Sequence, residues 1–493
     1  MIVIGLLKRI LTYILIIFIS VACFLIVFRV PTAIFAIFAA LALVLVSRIG
    51  NRGFIILIVL GSFLIRFAYI IIIDTPLDSD FKLLYDAAVL FSRGDYSFSG
   101  QVYFQEWAYQ TGFVIYQGLV IRVFGEAGGI IALKILNCLW NTGITLIIYL
   151  IARNFFGEKS SRMAAVLYSG FVFPVTFVSV LSNQHISTFF MLLGLFFILD
   201  QRLIRMRQLP RRLIAGFLLA LGNVMRPEAI IIIVSLMVYY LVLFLRAGDM
   251  RQRMKRVMQY LAVLIVYLAV NGLASYAISE SGVNPQGLRN NNAWWKVVVG
   301  LNYDSRGGYN DHDYQLVYGG NKSLEERKEL EKDLIRERLG MNSLKLANLF
   351  LKKIQNMWCE NALDWSYKHI LESNRVITLF YNPVRFSDID AVLKDLNELF
   401  IYASMILSLL GMLAWRKSQM DDGLLIPVAI LAASFVIYLL IEVQPRYAYM
   451  QQPFLFILSG AGLDILYRGF DGFSLKRAWT RLRDSVSHGS GQQ

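Results

Sequence analysis

The chain alternates long apolar stretches with short polar connections along most of its length. A helix needs about 20 apolar residues to cross a bilayer, and this template predicts about twelve such helices. The predicted segments are 10–28, 31–47, 53–73, 129–151, 163–181, 185–199, 213–226, 228–245, 257–278, 396–415, 423–441 and 447–467. We expect the stretch from Leu213 to Leu245 to divide at Arg226-Pro227-Glu228, because proline interrupts helical hydrogen bonding. The pattern predicts an all-α polytopic membrane protein.

The composition supports this class. Of the 493 residues, 57% are hydrophobic and 17% are charged, and the mean hydropathy is +0.57, which argues against a soluble protein. The chain has 48 Lys and Arg against 34 Asp and Glu, but the basic residues form short clusters between apolar segments. Membrane topology explains such a distribution, so we expect no nucleic-acid partner.

The basic clusters also predict the orientation of the helices. With the N-terminus inside, the clusters in short connections, such as 202–212 and 246–256, all fall on the inner side. The outer side then receives most of the chemically interesting polar segments: 74–112, 182–185, 226–228, 279–395 and 442–446. We therefore expect an active site, if the protein has one, on the extracytoplasmic face.

We expect five successive parts of the chain. They are two N-terminal membrane helices (1–52), a main transmembrane module with an outer loop at 74–128 (53–278), an extracytoplasmic region with amphipathic helices (279–395), the C-terminal membrane helices (396–467) and a cytoplasmic tail (468–493). Apolar positions at helical spacing predict amphipathic helices at 81–92 and 344–358, the second lying on the membrane surface. Ser323 followed by Glu326 is a capping box and predicts a helix start.

Acidic residues are concentrated in the outer loop. Asp78-Ser79-Asp80 follows a predicted membrane helix, where a carboxylate has both water and a partly desolvated wall, as a general base requires. A solvated turn after Pro76 is the alternative. Asp-x-Asp can also supply oxygen ligands, so a divalent cation at this loop is a second hypothesis, whereas the four histidines lack the spacing of a zinc site.

Two arginines lie at predicted outer helix ends, where a charged side chain usually pairs with another charge or faces a cavity, and Arg446 is the candidate for binding a phosphate. Arg226 and Glu228 flank the proline break, and Arg446 lies beside Tyr447 before the last helix. A guanidinium can bind two phosphate oxygens at once. The alternatives are a structural pair between Arg226 and Glu228, and an interfacial Arg446 whose head group reaches toward water.

Several short motifs in this order resemble the GT-C superfamily of glycosyltransferases that use polyprenyl-phosphate sugars. The motifs are PLDSDFKLLYDAA, YFQEWAYQTGFVIYQ, NVMRPEA and QPRYAYMQQPFLFILSGAG, and the resemblance covers about residues 53–467. The most similar type is the family 39-like group of protein O-mannosyltransferases and aminoarabinose transferases. This chain differs in its two additional N-terminal helices and in Asp80-Phe81, where members often have Asp-Glu. Asp80 best matches the catalytic aspartate, and the role of Asp78 is left open.

The resemblance implies a GT-C-like bundle that moves a sugar from a polyprenyl-phosphate donor to a cell-envelope glycan, lipid or protein. Asp80 or Asp78 would be the base of an inverting transfer, on the outer face of a bacterial plasma membrane. Substrate-binding residues would be Arg226, Glu228, Arg446, Tyr447 and Tyr109. Membrane lipids are further expected partners. A lipid-linked glycan flippase or polysaccharide transporter is the alternative function, and a subunit without activity is a third.

Overall fold

A computed structural model describes residues 2–25, 33–200, 202–320, 322–373, 376–379, 382–415 and 421–472. Parts of the first two predicted membrane segments, at 26–28 and 31–32, and residues 473–493 of the predicted tail lie outside the described residues. The chain begins with three helices, α1 (Ile2–Leu25), α2 (Ala33–Arg48) and α3 (Asn51–Ile72).

The outer loop that follows is itself helical. It contains α4 (Ser79–Ser92), a 3₁₀ turn at Ser97–Gly100, α5 (Val102–Glu106) and a second 3₁₀ turn at Ala108–Gln110. Residues spaced at helical intervals on α4 are buried, including Phe81, Leu84, Ala88 and Phe91, as the amphipathic pattern predicted.

A 45-residue helix then carries the chain from the loop into the bundle. This helix, α6 (Thr111–Phe155), bends at Gly125, whose φ of 72° and ψ of 175° are not helical. Arg122 clamps α4 to the first half of α6, because its Nε and Nη2 donate hydrogen bonds to the carbonyls of Ser92 and Phe91 at 3.1 and 3.0 Å. The outer loop and the start of α6 therefore pack as one unit.

The middle of the bundle contains six further helices: α7 (Glu158–Gly170), α8 (Val172–Phe177), α9 (Gln184–Leu199), α10 (Gln208–Met225), α11 (Ala229–Arg246) and α12 (Met250–Glu280). The predicted segment 163–181 is divided between α7 and α8. Pro174 explains the division, since a proline ring clashes with the carbonyl four residues earlier, here that of Gly170. The predicted division at Pro227 is confirmed by the separate helices α10 and α11.

The outer region and the C-terminal part complete the fold. The outer helices are α13 (Ala293–Gly300), α14 (Asp311–Tyr318), α15 (Leu324–Leu339), α16 (Ser343–Ile354), continued by a π turn at Gln355–Cys359, and α17 (Asp364–Glu372). An antiparallel hairpin of β1 (Val376–Leu379) and β2 (Asn382–Arg385) follows. The last elements are α18 (Phe386–Trp415), a 3₁₀ turn at Asp422–Leu424, α19 (Leu425–Leu440), a 3₁₀ turn at Pro445–Ala448 and α20 (Gln452–Gly472).

The predicted all-α class of polytopic membrane protein is confirmed. Every predicted apolar segment contains at least one helix, and α3, α11, α12, Phe386–Ala414 and Asp422–Leu440 are each long and apolar enough to cross a membrane. The shorter apolar helix α9 packs against α10 and α6 inside the bundle. The total of about twelve crossings stays a prediction. The capping box at Ser323 and Glu326 is also confirmed, at the start of α15.

Candidate active site

A cavity of about 570 Å³ opens where the outer loop, the outer helices and the ends of the bundle helices meet. Its wall comes from eight parts of the chain that are far apart in sequence: the start of α4, residues 102–110, the turn at 182–184, the break at 226–228, α13, residues 309–318, Trp365 of α17 and residues 438–447. Asp80, Tyr109, Arg226, Glu228, Arg446 and Tyr447 all line it. The structure thus brings together every predicted site residue except Asp78.

The two candidate aspartates have different positions. Asp78 is the N-cap of α4, where its side chain accepts a hydrogen bond from the Ser79 backbone N–H at 2.8 Å, and it is exposed outside the cavity. Ser79 has a φ of 52°, a left-handed conformation that costs about 1–3 kcal/mol in a residue other than glycine. Asp80 follows this turn and lines the cavity with its side chain half exposed. Of the two aspartates, Asp80 is therefore the one whose side chain lines the cavity.

Arg446 lies directly opposite Asp80. Its Nη2 is 3.7 Å from Asp80 Oδ2, and its Nε donates a hydrogen bond to Gln444 Oε1 at 2.8 Å. The guanidinium also lies over the rings of Trp365 and Phe81, at 4.5 and 5.0 Å from their centroids. Such contacts fix the direction of a buried guanidinium and leave its charge directed at the cavity.

Arg226 and Glu228 form an ion pair at the proline break, as one of the sequence-based alternatives stated. The pair still lines the cavity. Arg226 Nη1 also donates to Asn183 Oδ1 at 3.3 Å, and the guanidinium lies 5.4 Å from the centre of the Tyr447 ring. Glu228 Oε2 is buried and makes no hydrogen bond within the described protein. The pair is therefore both structural and available to a ligand.

A second ion pair, which the sequence did not indicate, joins Lys296 of α13 to Glu442. The Glu442 backbone N–H also donates to the Lys296 carbonyl at 2.7 Å. Burial raises the pKa of Glu442, but the neighbouring Lys296 lowers it further, so the net shift is downward. Burial likewise lowers the pKa of Lys296, and Glu442 raises it well above its ordinary value. Both groups are charged at neutral pH.

Tyr447 and Tyr109 line the space between these charges. The Tyr447 ring centre is 5.4 Å from the Arg226 guanidinium, 5.7 Å from Lys296 Nζ and 5.9 Å from the Arg446 guanidinium. Burial raises the pKa of Tyr109, so its hydroxyl keeps its proton and can donate a hydrogen bond.

The other carboxylates of the outer loop do not join Asp80. Asp74 pairs with Lys134 at 3.2 Å, Asp86 with Lys82, and Glu106 with Arg327 at 2.7 Å. Asp95 accepts a hydrogen bond from the Ser97 backbone N–H at 2.8 Å. The acidic segment therefore contributes one carboxylate to the cavity. Across the described ranges, no group of three or more His, Cys, Asp and Glu side chains could hold a metal ion.

Aromatic side chains that sequence reasoning did not select form the outer part of the cavity wall. They are Trp107, Trp295, Tyr309, Tyr314 and Tyr318. Except for Trp107, they belong to the region 279–395, whose sequence has no motif that relates it to the loop at 74–112. The paired tryptophans Trp294 and Trp295, followed by Lys296, are the feature of the sequence that could have indicated a binding surface.

Part of the chain matches the model of one known protein family. Residues 113–274, from α6 to α12, match the family model described as dolichyl-phosphate-mannose-protein mannosyltransferase. This segment resembles glycosyltransferases. The predicted resemblance is thereby confirmed for the part of the site that contains Asn183, Arg226 and Glu228, whereas Asp80 and Arg446 lie outside the matched residues. No curated protein sequence matches the chain significantly.

Solved oligosaccharyltransferases of Archaeoglobus fulgidus have a distant structural similarity. One is the archaeal enzyme AglB in complex with an inhibitory peptide and a dolichol-phosphate, with 13% identity, a TM-score of 0.47 and coverage of 90% of this chain and 52% of that one. The apo form of the Archaeoglobus fulgidus oligosaccharyltransferase gives 14% identity, a TM-score of 0.48 and coverage of 88% and 52%. The chain spans about half the length of these proteins. At this similarity they assign no activity to it.

Proposed function

We propose that the protein is an integral membrane glycosyltransferase that moves a sugar from a polyprenyl-phosphate donor to a cell-envelope acceptor. The observation that carries this proposal is the placement of Asp80 against Arg446, 3.7 Å apart, in a cavity that Arg226 also lines. A carboxylate beside fixed guanidinium groups suits a displacement in which a hydroxyl loses a proton while a phosphate leaves. The match of residues 113–274 to a mannosyltransferase family supports the same chemistry.

The reaction would be a single displacement. An acceptor hydroxyl gives its proton to Asp80, and its oxygen forms a bond to the anomeric carbon of the donor sugar. The bond between this carbon and the phosphate oxygen breaks, and the electron pair leaves with the polyprenyl phosphate. Arg446 and Arg226 stabilise the additional negative charge on the phosphate, and attack from the opposite side inverts the anomeric configuration.

The proposed donor agrees with where the cavity lies along the predicted membrane segments. The residues that line it are at the helix ends that the distribution of Lys and Arg places outside. Nucleotide sugars are cytoplasmic, whereas a sugar linked to a membrane lipid can reach an outer site by lateral diffusion. An active site on the extracytoplasmic face of a bacterial plasma membrane is therefore part of the proposal.

A divalent cation near the acidic loop is a separate hypothesis. Of the six acidic residues at 74–106, Asp80 lines the cavity, and the cationic groups of Arg226, Lys296 and Arg446 line it as well. Arg226 and Lys296 form ion pairs with Glu228 and Glu442, which also line the cavity. Arg446, 3.7 Å from Asp80, is then the side chain that can best take the role of a metal ion in neutralising a phosphate. Full transfer activity after treatment with a chelator is expected, and loss of activity that Mg²⁺ or Mn²⁺ restores would establish the cation.

The alternative of a flippase or polysaccharide transporter predicts charged residues near the bilayer midplane on broken helices. The charged residues of this cavity lie instead at predicted outer helix ends. Reconstitution distinguishes the two functions. Vesicles containing the protein and radiolabelled polyprenyl-phosphate sugars should release free polyprenyl phosphate and glycosylate added acceptors, and Asp80→Asn should do neither. Equal donor cleavage by the wild type and by Asp80→Asn would contradict the proposal.

A further inference from the structure

The cavity has two chemically different parts. One part contains the charged residues Asp80, Arg226 and Arg446, which the proposed function assigns to the base and the donor phosphate. The other part is a wall of aromatic rings, which we call the aromatic wall and define as Trp107, Trp295, Tyr309, Tyr314 and Tyr318. The proposed mechanism uses none of these rings. Trp295 is 3% exposed and belongs to the hydrophobic core of the outer region, against which Trp107, Tyr314 and Tyr318 pack, whereas Tyr309 is 47% exposed.

The rings of the aromatic wall are packed in fixed relative orientations. Tyr314 and Tyr318 are stacked with centroids 5.0 Å apart and an angle of 19° between the planes, and Trp295 meets Tyr318 edge-on at 5.3 Å. Trp107, which belongs to the outer loop, also lies next to Tyr318, with the ring centroids 6.3 Å apart. Because each ring is held by its neighbours, a ligand that stacks on this surface loses little protein entropy on binding.

Hydrogen bonds from Arg338 hold together the helices that carry the aromatic wall. Arg338 of α15 forms two hydrogen bonds to the carboxylate of Asp313, at 2.7 and 2.9 Å, and one to the carbonyl of Val298. These contacts join α13, α14 and α15. The opposite side of α15 carries ion pairs such as Arg336 with Asp333 at 2.8 Å, which are largely exposed. The helix that supports the wall, α15, therefore has an exposed charged side, which suits contact with water and not with lipid.

The aromatic wall and the proposed base line the same cavity. Tyr309 lines the cavity, is 47% exposed and donates a hydrogen bond to Asp311 at 3.1 Å. Burial and Asp311 raise its pKa to about 12, and the charge of Asp80 adds to the shift. Asp80 also contributes to the raised pKa of Tyr103, for which burial is the main cause. Asp80 thus has Arg446 as an ion-pair partner. Its charge also reaches Tyr309 of the aromatic wall and Tyr103 of the outer loop.

We propose that the aromatic wall binds the acceptor and that the acceptor is a carbohydrate. This inference depends on the proposed function, because it assigns the second substrate of the same reaction. A sugar ring has a face of C–H groups and an edge of hydroxyls, so it can stack on tyrosine and tryptophan rings while its edge reaches polar groups. A hydroxyl of a sugar held against Tyr309 would lie in the cavity that Asp80 also lines, where it could act as the attacking group.

The experiment compares transfer to short neutral oligosaccharides with transfer to serine- and threonine-containing peptides, using the reconstituted full chain and a radiolabelled polyprenyl-phosphate sugar. Tyr309→Ala should raise the KM for an oligosaccharide acceptor by about fivefold to tenfold and leave the KM for the donor unchanged. Trp294→Ala is the matched control, since Trp294 is 48% exposed, neighbours Trp295 and does not line the cavity. Trp294→Ala should change neither the KM for the oligosaccharide acceptor nor the KM for the donor.

The outcomes separate this inference from the proposed function. Transfer to peptides with none to oligosaccharides would overturn the carbohydrate assignment and leave the glycosyltransferase proposal intact. Equal acceptor KM values for Tyr309→Ala and Trp294→Ala would remove the aromatic wall from acceptor binding. Absence of Asp80-dependent donor cleavage with every acceptor would overturn the proposed function, and the inference with it.

Discussion

The guanidinium of Arg446 and the carboxylate of Asp80 approach to 3.7 Å across a water-accessible cavity, although 366 positions separate them in the sequence (446 − 80). The arginine is 9% exposed, whereas the aspartate is half exposed. One partner is therefore fixed by packing, and the other keeps access to a substrate.

Asp80→Asn should reduce sugar transfer by at least about 100-fold, because an amide cannot accept the acceptor proton. Protein yield and melting temperature should be unchanged, since Asp80 is half exposed. Asp78→Asn is the matched control: it removes an exposed carboxylate two residues away and should keep most of the activity. The opposite ranking of the two variants would assign the base to Asp78.

Arg446→Lys should raise the KM for the lipid-phosphate donor by about tenfold, because an ammonium keeps the charge but cannot donate two parallel hydrogen bonds. It also loses the stacking on Trp365 and Phe81. Initial rates at varied donor concentration measure the effect. An unchanged donor KM would exclude Arg446 from binding the phosphate.

Much of this arrangement follows from local sequence patterns. Apolar segment lengths predicted the helices, and Pro227 predicted the break between α10 and α11. The resemblance placed Asp80, Arg226 and Arg446 in one site; all three line the cavity, and their roles stay predictions. The burial of Lys353 was not predictable, because its position in the helical pattern of 344–358 placed it on a polar face. Its partners are backbone carbonyls of α13 and α19, and such partners have no signature in the sequence. The pairing of Lys296 with Glu442 was unpredictable for a different reason, since 146 positions separate the two residues and no motif relates them.

Lys353→Met should destabilise the outer region by about 2–3 kcal/mol. The Lys353 ammonium is buried and donates hydrogen bonds to the carbonyls of Gly300, Leu439 and Ile441 at 2.7, 2.7 and 2.9 Å, and the substitution leaves these acceptors unpaired. Urea unfolding in detergent micelles measures the change. Lys352→Met is the control, because Lys352 lies over the Tyr303 ring and is less buried. Equal stability of the two variants would contradict this role.

Glu331→Gln should stabilise the protein at mildly alkaline pH by about 1–3 kcal/mol. Burial, and then the charge of Glu106, raise the pKa of Glu331 from 4.5 to about 7. The folded state then binds more protons than the unfolded state between these values, so this residue lowers stability as pH rises from about 4.5 to 7. The difference in unfolding free energy between wild type and variant should grow over that interval. A constant difference would show that Glu331 does not titrate there.

The predicted sidedness can be tested by labelling. In a chain whose native Cys23, Cys138 and Cys359 are replaced, Ser97→Cys should react with a membrane-impermeant maleimide in intact cells. Arg205→Cys should react after the membrane is opened, and both positions are exposed in the structure. The reverse pattern would place the cavity on the cytoplasmic side and make a nucleotide sugar the available donor.

The bend of α6 at Gly125 decides which parts of this protein could be exchanged with a relative. Arg122 ties the end of α4 to the first half of α6, and Tyr85 of α4 donates a hydrogen bond to the carbonyl of Glu126, just past the bend. The position of α4 relative to the second half of α6 therefore depends in part on the torsion angles of Gly125. A chimera that keeps these contacts would exchange α4, the bend at Gly125 and the start of the second half of α6 together.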